Sequence, residues 1–423
     1  MDNLLQKVKL VLADPGLVRR ILFLLGILAL FRFGAAIPIP SVDEVALAQF
    51  FTNNQFFGLL NIFSGGGLSN LSIVMLGVSP FITSSIIFQL LTFVFPQLKE
   101  MYQEQGEAGR HKMSQYARYL SVPLAVLQGI GLQVILTQQG ILSHPTFFDQ
   151  VVSVIVVTAG SVFLMWLGEL VNEYGIGNGV SMIIFAGIVA GLPSTVSQLF
   201  ATYDPSMIPT YIGFLALAII IVAGVVIVTE GERPIPITYA KRVRGSKVYG
   251  GTSTYLPIRV NNAGVMPVIF ALSILLFPQM IINFLTQVDN LSIQDVSQIL
   301  LSIFNNPWFY GITYFILVFG FTYFYSAVTF DPHLVAGNLQ KGGAFIPGVR
   351  PGDPTEMYIG KMLSRLTFFG AIFLGIIALL PLVMKEITGV AALAIGGTSL
   401  LIVVSVVLDL IKKIDAQVTM REY

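Results

Sequence analysis

The residue types that usually perform chemistry in proteins are scarce in this sequence. Its 423 residues include no cysteine and three histidines, His111, His144 and His333, which lie far apart in polar connections. This excludes a disulfide framework, a thiolate metal site and a cysteine nucleophile. No His-Glu-x-x-His pattern and no nucleophile–base pair of an intramembrane hydrolase is present. We therefore expect no enzyme activity, no catalytic residue, no metal and no cofactor.

Two pairs of apolar residues with helical spacing are candidates for a different function. Val78 and Ile82 form one pair, and Val180 and Ile184 form the other. Within each pair the side chains lie one turn apart on the same helix face. Such pairs commonly face lipid or pack against other helices. Alternatively, they form a constriction that seals a pore by excluding water. The spacing leaves both interpretations open.

A glycine-rich segment, Leu59–Asn70, is mildly apolar but too short to cross a membrane. It is either an outer loop with a flexible turn or a half-helix folded back into a cavity lined by protein, where irregular backbone is tolerated. In both cases we expect Gly65, Gly66 and Gly67 to decouple the segment from the helix that follows.

The composition places the chain in a membrane. Hydrophobic residues make up 55% and charged residues 11% of it, whereas soluble domains carry about 25% charged residues. Because about 20 apolar residues cross a bilayer as a helix, we predict an all-α polytopic membrane protein with ten transmembrane helices. The predicted spans are Ile21–Ile37, Leu71–Phe95, Tyr119–Leu136, Val151–Val171, Val180–Leu199, Ile208–Val228, Ala263–Phe284, Trp308–Phe330, Leu366–Met384 and Val390–Ile411.

The basic residues predict the orientation. All of the 23 lysines and arginines except Arg32 and Lys385 fall in the N-terminal arm, in alternate connections or in the tail. They therefore share one membrane face, here called the basic face, which the positive-inside rule assigns to the cytoplasm together with both termini. Each half, residues 1–200 and 201–423, contains five predicted spans. Because five is odd, the two halves enter the membrane with opposite polarity. This predicts two inverted five-helix halves around a central pore.

Two connections on the basic face are unusually long, Glu230–Asn262 and Asp331–Arg365. In the first, the residues of Ile235–Tyr239 and Tyr255–Val260 alternate in the manner of β-strands. The two predicted strands lie on either side of a basic tip. In the second, proline and glycines stiffen a turn at Gly348–Gly352. The connections are either solvated orientation signals or docking surfaces for an acidic protein or for RNA phosphates. The candidate docking residues are Arg242, Arg244, Lys247 and Arg350.

Several motifs, in the same order along nearly the whole chain, resemble the SecY family of bacterial protein-translocation channels. They are Phe31–Gly34, Ile37–Pro40, Phe63–Gly66, Gly77–Pro80, Gly106–Arg110, Trp166–Glu169, Gly175–Gly179, Phe185–Pro193, Tyr239–Arg242, Gly343–Gly352 and Gly396–Leu400.

The resemblance implies a clamshell of two halves around an hourglass pore. It makes Leu59–Asn70 a plug and adds two isoleucines to the apolar pairs, giving a pore ring. It also implies a lateral gate where the second and third spans meet the seventh and eighth. The implied plug residues are Leu60, Phe63, Ser64, Gly65, Gly66, Gly67 and Leu68, and the implied ring residues are Val78, Ile82, Val180, Ile184, Ile269 and Ile402.

The resemblance also implies partners and a location. The SecA motor ATPase and the ribosome would dock on the basic face, with Arg350 in a key position, and SecE and SecG would be partner subunits. Signal sequences and nascent chains would enter the channel, and apolar segments would leave it sideways into membrane lipid. The implied location is a bacterial plasma membrane, in preference to a thylakoid membrane. The alternative is an inverted-repeat secondary transporter for a small solute, which the scarcity of charge inside the spans disfavours.

Overall fold

The structure, a computed structural model, describes residues 14–39, 64, 66–68, 70–103, 105–138, 140–142, 146–201, 208–239, 242–244, 247–249, 253–285, 291–304, 306–388 and 396–422. Its helices are α1 (Pro15–Ala35), α2 (Ser79–Val94), α3 (Pro96–Gln103), α4 (Gly106–Gln138), α5 (Phe147–Tyr174), α6 (Gly179–Ala201), α7 (Ile208–Glu230), α8 (Met266–Leu285), α9 (Leu291–Phe304), α10 (Pro307–Thr329), α11 (Pro332–Lys341), α12 (Asp353–Thr388) and α13 (Gly396–Glu422). The strands are β1 (Glu232–Tyr239), β2 (Arg242–Arg244), β3 (Lys247–Tyr249), β4 (Ser253–Arg259) and β5 (Ala344–Phe345).

A helix occupies each of the ten segments predicted to span the membrane. Within the described residues, α4, α5, α7, α10 and α12 are long and apolar enough to cross a bilayer, and α2 with α3, bent by 115°, would be a sixth span. The prediction of a mostly helical polytopic membrane protein is thus confirmed. That all ten helices cross, and that the halves are inverted around a pore, stay predictions.

The predicted start of the second span is wrong. Residues 71–78 form turns, and α2 begins only at Ser79, with Pro80 in its first turn. Contacts from elsewhere hold the turns: the Ile73 amide donates to the Ile37 carbonyl at 3.0 Å, and Ser161 Oγ donates to the Gly77 carbonyl at 2.9 Å. A Cβ on Gly160 would overlap the Ile73 carbonyl oxygen, so glycine allows this close approach.

The largest core contains side chains from helices of both predicted halves. It draws buried side chains from α1, α2, α5, α6, α7, α8, α10, α12 and α13. Two seams join the first six helices to the later ones: α2 and α4 pack against α8, and α6 packs against α13. Buried apolar side chains therefore fill the region between the helices of the two predicted halves.

The two long connections predicted to lie on the basic face form one body. A three-stranded antiparallel sheet has the order β4–β1–β5, and β1 pairs with β4 from Glu232–Arg259 to Thr238–Ser253. The predicted strands are therefore confirmed, and β2 and β3 form a separate hairpin. β5 comes from the other connection and pairs with Thr238 and Tyr239. A small core that includes Ile235, Ile258 and Ile359 covers this sheet.

Candidate functional site

The structure brings the six predicted ring residues into the largest core. Val78 precedes α2 directly, and Ile82 lies in the first turn of that helix. Five of the six side chains are buried, with exposed fractions of 0% for Val78 and Ile184, 1% for Ile402, 2% for Ile269 and 6% for Ile82. Val180 is half-buried and packs against the same cluster. The ring residues thus come from near the starts of α2, α6, α8 and α13, two helices from each predicted half.

Gly168 and Gly179 allow α6 to begin in close contact with α5. A Cβ on Gly179 would overlap the carbonyl oxygen of Gly168 in α5, so the two backbones approach as closely as glycine permits. The Asn172 side-chain oxygen accepts a hydrogen bond from the Gly179 amide at 2.8 Å, and Asn178 caps the helix by accepting one from the Ser181 amide at 3.2 Å. These contacts fix the first turn of α6, which carries Val180.

Part of the predicted plug is described, namely Ser64, Gly66, Gly67 and Leu68. Leu60, Phe63 and Gly65 lie outside the described residues. Leu68 is 0% exposed. It packs in a cluster separate from the ring, with apolar side chains of α4, α5 and the turns before α2.

The expected decoupling of this segment from the second span is wrong for Gly67. The Gly67 carbonyl accepts hydrogen bonds from both the amide of Ser72, at 2.8 Å, and its hydroxyl, at 3.0 Å. Ser64 Oγ also accepts from the Leu68 amide at 3.0 Å. Because these bonds and the burial of Leu68 act together, the end of the predicted plug is anchored to the turns before α2.

One of the two seams involves helices of the predicted lateral gate. α2 and α4 contact α8 at this seam. The ring of Phe93 in α2 lies 4.7 Å, centroid to centroid, from that of Phe324 in α10, and Phe270 of α8 meets Tyr325 of α10 at 5.8 Å. Phe93 and Phe324 were not identified from the sequence, because aromatic residues make up 12% of the chain and no local pattern shows which of them meet.

The candidate docking turn around Arg350 has a defined backbone. Gly348 and Gly352 have φ angles of +86° and +94°, which favour glycine. The buried Thr355 hydroxyl donates to the Arg350 carbonyl at 2.8 Å, while the Arg350 side chain is exposed. Arg242, Arg244 and Lys247 lie on β2 and β3, of which the structure describes the backbone.

An ion pair ties α11 to α12 beside this turn. His333 Nδ1 lies 2.8 Å from Glu356 Oε2. The hydrogen bond to Glu356, followed by the negative charge of that residue, raises the pKa of His333. The tie is therefore charged over a wider range of pH than an isolated histidine would allow.

Acidic side chains within the predicted spans are paired with bases. Glu169 of α5 lies 2.6 Å from Arg118 of α4, and Asp409 lies 3.0 Å from Lys413 one turn later in α13. In the part of the chain that the structure describes, no group of three or more His, Asp or Glu side chains is placed to hold a metal ion. Glu169 and Asp409 lie near the ends of their predicted spans, so these pairs give no acidic pathway for a coupling ion through the described helices.

Comparison with known proteins defines first the class and then the family. Solved structures with this fold include a protein-conducting channel, with a TM-score of 0.62 and 18% identity, covering 93% of this chain and 91% of that one. Another is a SecY protein from work on its plug domain, with a TM-score of 0.63 and 20% identity, covering 92% and 90% of the two chains. The fold is therefore that of protein-conducting channels.

The sequence comparisons extend this result. The SecY family model matches residues 72–411. Protein translocase subunit SecY of Synechocystis sp. is 42% identical over 96% of this chain and 93% of that protein, and the Corynebacterium glutamicum protein is 42% identical over 97% of each. The Pseudomonas aeruginosa protein is 43% identical over 96% of this chain and 91% of its own length. The chain belongs to the SecY family.

Proposed function

We propose that this chain is the channel subunit of a protein translocase. The observation that supports the proposal is that five of the six predicted ring side chains, from near the starts of four helices, belong to one buried cluster and that Val180 packs against it. An aliphatic neck dewets when narrow and so blocks ions, yet it offers a passing peptide no strong binding site. Family membership supports the same function over a small-solute transporter.

In this mechanism the protein supplies a path and no chemistry. An unfolded polar chain crosses through water within the pore, which avoids placing unpaired peptide groups in hydrocarbon. A signal sequence or nascent apolar helix instead leaves through the seam of α2 and α4 with α8 and α10, because about 20 apolar residues partition favourably into lipid. The energy for transport must come from a partner on the basic face.

We infer the partners from the same resemblance and from the body formed by β1–β5. SecA or a ribosome would engage the turn at Arg350 and the β2–β3 hairpin from the cytoplasm, where both termini would also lie. SecE would brace the two halves, residues 1–200 and 201–423, and SecG would associate with them, in a bacterial plasma membrane. Co-purification of a small SecE-like subunit with the tagged chain tests this assembly.

The ring assignment is tested by placing a polar group in the neck. We expect Ile82→Asn and Ile402→Asn to hydrate the constriction, raise the resting ion conductance and relax the requirement for a signal sequence. Planar-bilayer recordings of the purified chain measure the conductance. Ile221→Asn is the matched control, because Ile221 of α7 has the same 6% exposed fraction as Ile82 and lies in the same core outside the ring.

Unchanged conductance in both ring variants would contradict the assignment. An equal rise in Ile221→Asn would show general loosening of the core and would contradict it as well.

A further inference from the structure

The helix α9 joins α8 to α10 at the membrane face opposite the basic face. α8 begins after β4 and α10 ends before α11 and β5, and β4 and β5 belong to one sheet. α10 is long and apolar enough to cross a bilayer, and α8 is predicted to cross it. Their other ends, which α9 connects, would then lie at the far surface of the bilayer. α9 packs on both helices. Its Ser297 is 1% exposed, and its Phe304 ring lies 5.6 Å from that of Phe309 in α10.

A second face of α9 is apolar and exposed. Val296, Ile299, Leu300 and Ile303 follow the spacing i, i+3, i+4, i+7 and form one stripe. Their exposed fractions are 57%, 61%, 36% and 40%. Within the described residues of this protein, every side chain of the stripe thus keeps at least about a third of its surface exposed.

A third face of α9 is polar and also exposed. It consists of Asp295, Gln298 and Ser302. A helix with one protein-facing side, one bare apolar side and one polar side fits the boundary between protein, hydrocarbon and water.

The neighbouring helix α10 also carries an exposed apolar stripe. α10 exposes Trp308, Ile312 and Ile316, spaced four residues apart, by 75%, 59% and 62%. A long apolar helix that crosses a bilayer exposes such a stripe to lipid, and tryptophan favours the headgroup level. Because Trp308 lies four residues after Phe304, the last residue of α9, the stripe of α9 lies close to that level.

We propose that α9 is an interfacial anchor whose stripe of Val296, Ile299, Leu300 and Ile303 inserts into the lipid leaflet opposite the basic face. Asp295 is the only charged residue in α9. The insertion therefore depends on apolar burial and not on attraction to anionic headgroups, in contrast to basic interfacial helices. The anchor would hold the ends of α8 and α10 at a fixed depth. Its relevance to gating rests on the proposed function, but lipid insertion itself does not.

The absence of cysteine from the sequence permits a direct test. Single variants Ile299→Cys and Ile303→Cys on the stripe, and Gln298→Cys and Ser302→Cys on the polar face, carry a nitroxide label in the full-length chain. The chain is reconstituted in phosphatidylcholine vesicles with a water-soluble nickel chelate on both sides. All four positions are exposed, so the substitutions should not disturb folding, and monodisperse elution checks this.

We expect oxygen to relax the stripe labels more than the nickel chelate does, and the reverse order on the polar face. The ratio of the two accessibilities should differ between the faces by about tenfold, because an interfacial helix buries its apolar side about 5–10 Å deep. Replacing a third of the lipid by an anionic one should leave this ratio unchanged. Adding Ile299→Asp should move a label at Ile303→Cys toward water.

Equal ratios at Ile299→Cys and Gln298→Cys would overturn the proposal. Low accessibility of Ile299→Cys to both reagents would show that protein covers the stripe, and spin–spin broadening there would show a second copy of the chain. Either result would also overturn it. None of these readouts measures translocation, so failure of the anchor is distinguishable from failure of the channel function.

Discussion

At the scale of single residues, Arg350 is the side chain whose presentation the structure explains best. Gly348 and Gly352 adopt positive φ, and Thr355 holds the Arg350 carbonyl. The turn is therefore formed before a partner binds, and an exposed guanidinium on it costs little ordering free energy. Arginine offers several donors in a fixed plane, whereas lysine offers a point charge.

We expect Arg350→Glu to reduce motor-driven or ribosome-coupled transport at least about tenfold, equivalent to about 1.4 kcal/mol of docking free energy, since it replaces an exposed docking cation by an anion. Arg350→Lys should retain part of the activity. Folding, membrane insertion and resting conductance should not change. Transport of a secretory precursor into vesicles, with equal amounts of each variant, measures the effect.

Arg244→Glu is the control for a general loss of positive charge. It lies on the β2–β3 hairpin, and we expect a weaker effect that salt reduces further. If Arg350→Glu transports normally, the connection serves only to orient the chain.

At the scale of elements, the anchoring of Leu68 changes what a plug deletion should do. Leu68 is fully buried, and Gly67 accepts two hydrogen bonds from Ser72. Removing residues 59–70 therefore also removes a structural contact of the turns before α2, whereas removing residues 59–63 does not.

We expect deletion of residues 59–63 to leave a folded channel that leaks ions and still translocates. Deletion of residues 59–70 should leak as well but unfold at a lower temperature. Leu68→Ala alone should destabilise the protein by about 2–5 kcal/mol, because it leaves a cavity in a buried cluster. Thermal unfolding in detergent and bilayer conductance separate the two effects. Equal unfolding temperatures for both deletions and the wild type would contradict the anchoring.

At the scale of the whole molecule, the proposed release of apolar segments into lipid would require the two predicted halves to separate at one seam. Phe93 of α2 and Phe324 of α10 are in contact across this seam. We expect Phe93→Cys combined with Phe324→Cys, joined by a short cleavable thiol cross-linker, to block the release of apolar segments into lipid. Reductive cleavage should restore release. Photocross-linking of a nascent apolar segment to lipid measures it.

The matched control joins two helices on the same side of the seam. Phe319 of α10 and Phe368 of α12 have ring centroids 6.1 Å apart, and cross-linking Phe319→Cys to Phe368→Cys should leave release intact. Unimpaired release with the Phe93–Phe324 cross-link would show that the exit lies elsewhere.

The sequence determined the features that depend on composition and local periodicity. Long apolar runs predicted the membrane class and placed a helix in each of ten segments, because hydrocarbon tolerates few other backbone structures. Alternation within Ile235–Tyr239 and Tyr255–Val260 predicted β1 and β4. The helical spacing of Val78 with Ile82, and of Val180 with Ile184, marked two pairs but left open whether they face lipid, a core or a pore.

Only the tertiary structure decided which distant residues meet. The six predicted ring positions lie in or against one cluster because α2, α6, α8 and α13 all contribute to the same core, and an isoleucine in a neck has the same local pattern as one in a core. The turns at residues 71–78 replace a predicted helix because Ile37, Gly160 and Ser161 hold their backbone. β5 has two residues and pairs with β1 from another connection. Such long-range contacts depend on packing across the chain, which no local stretch of sequence encodes by itself.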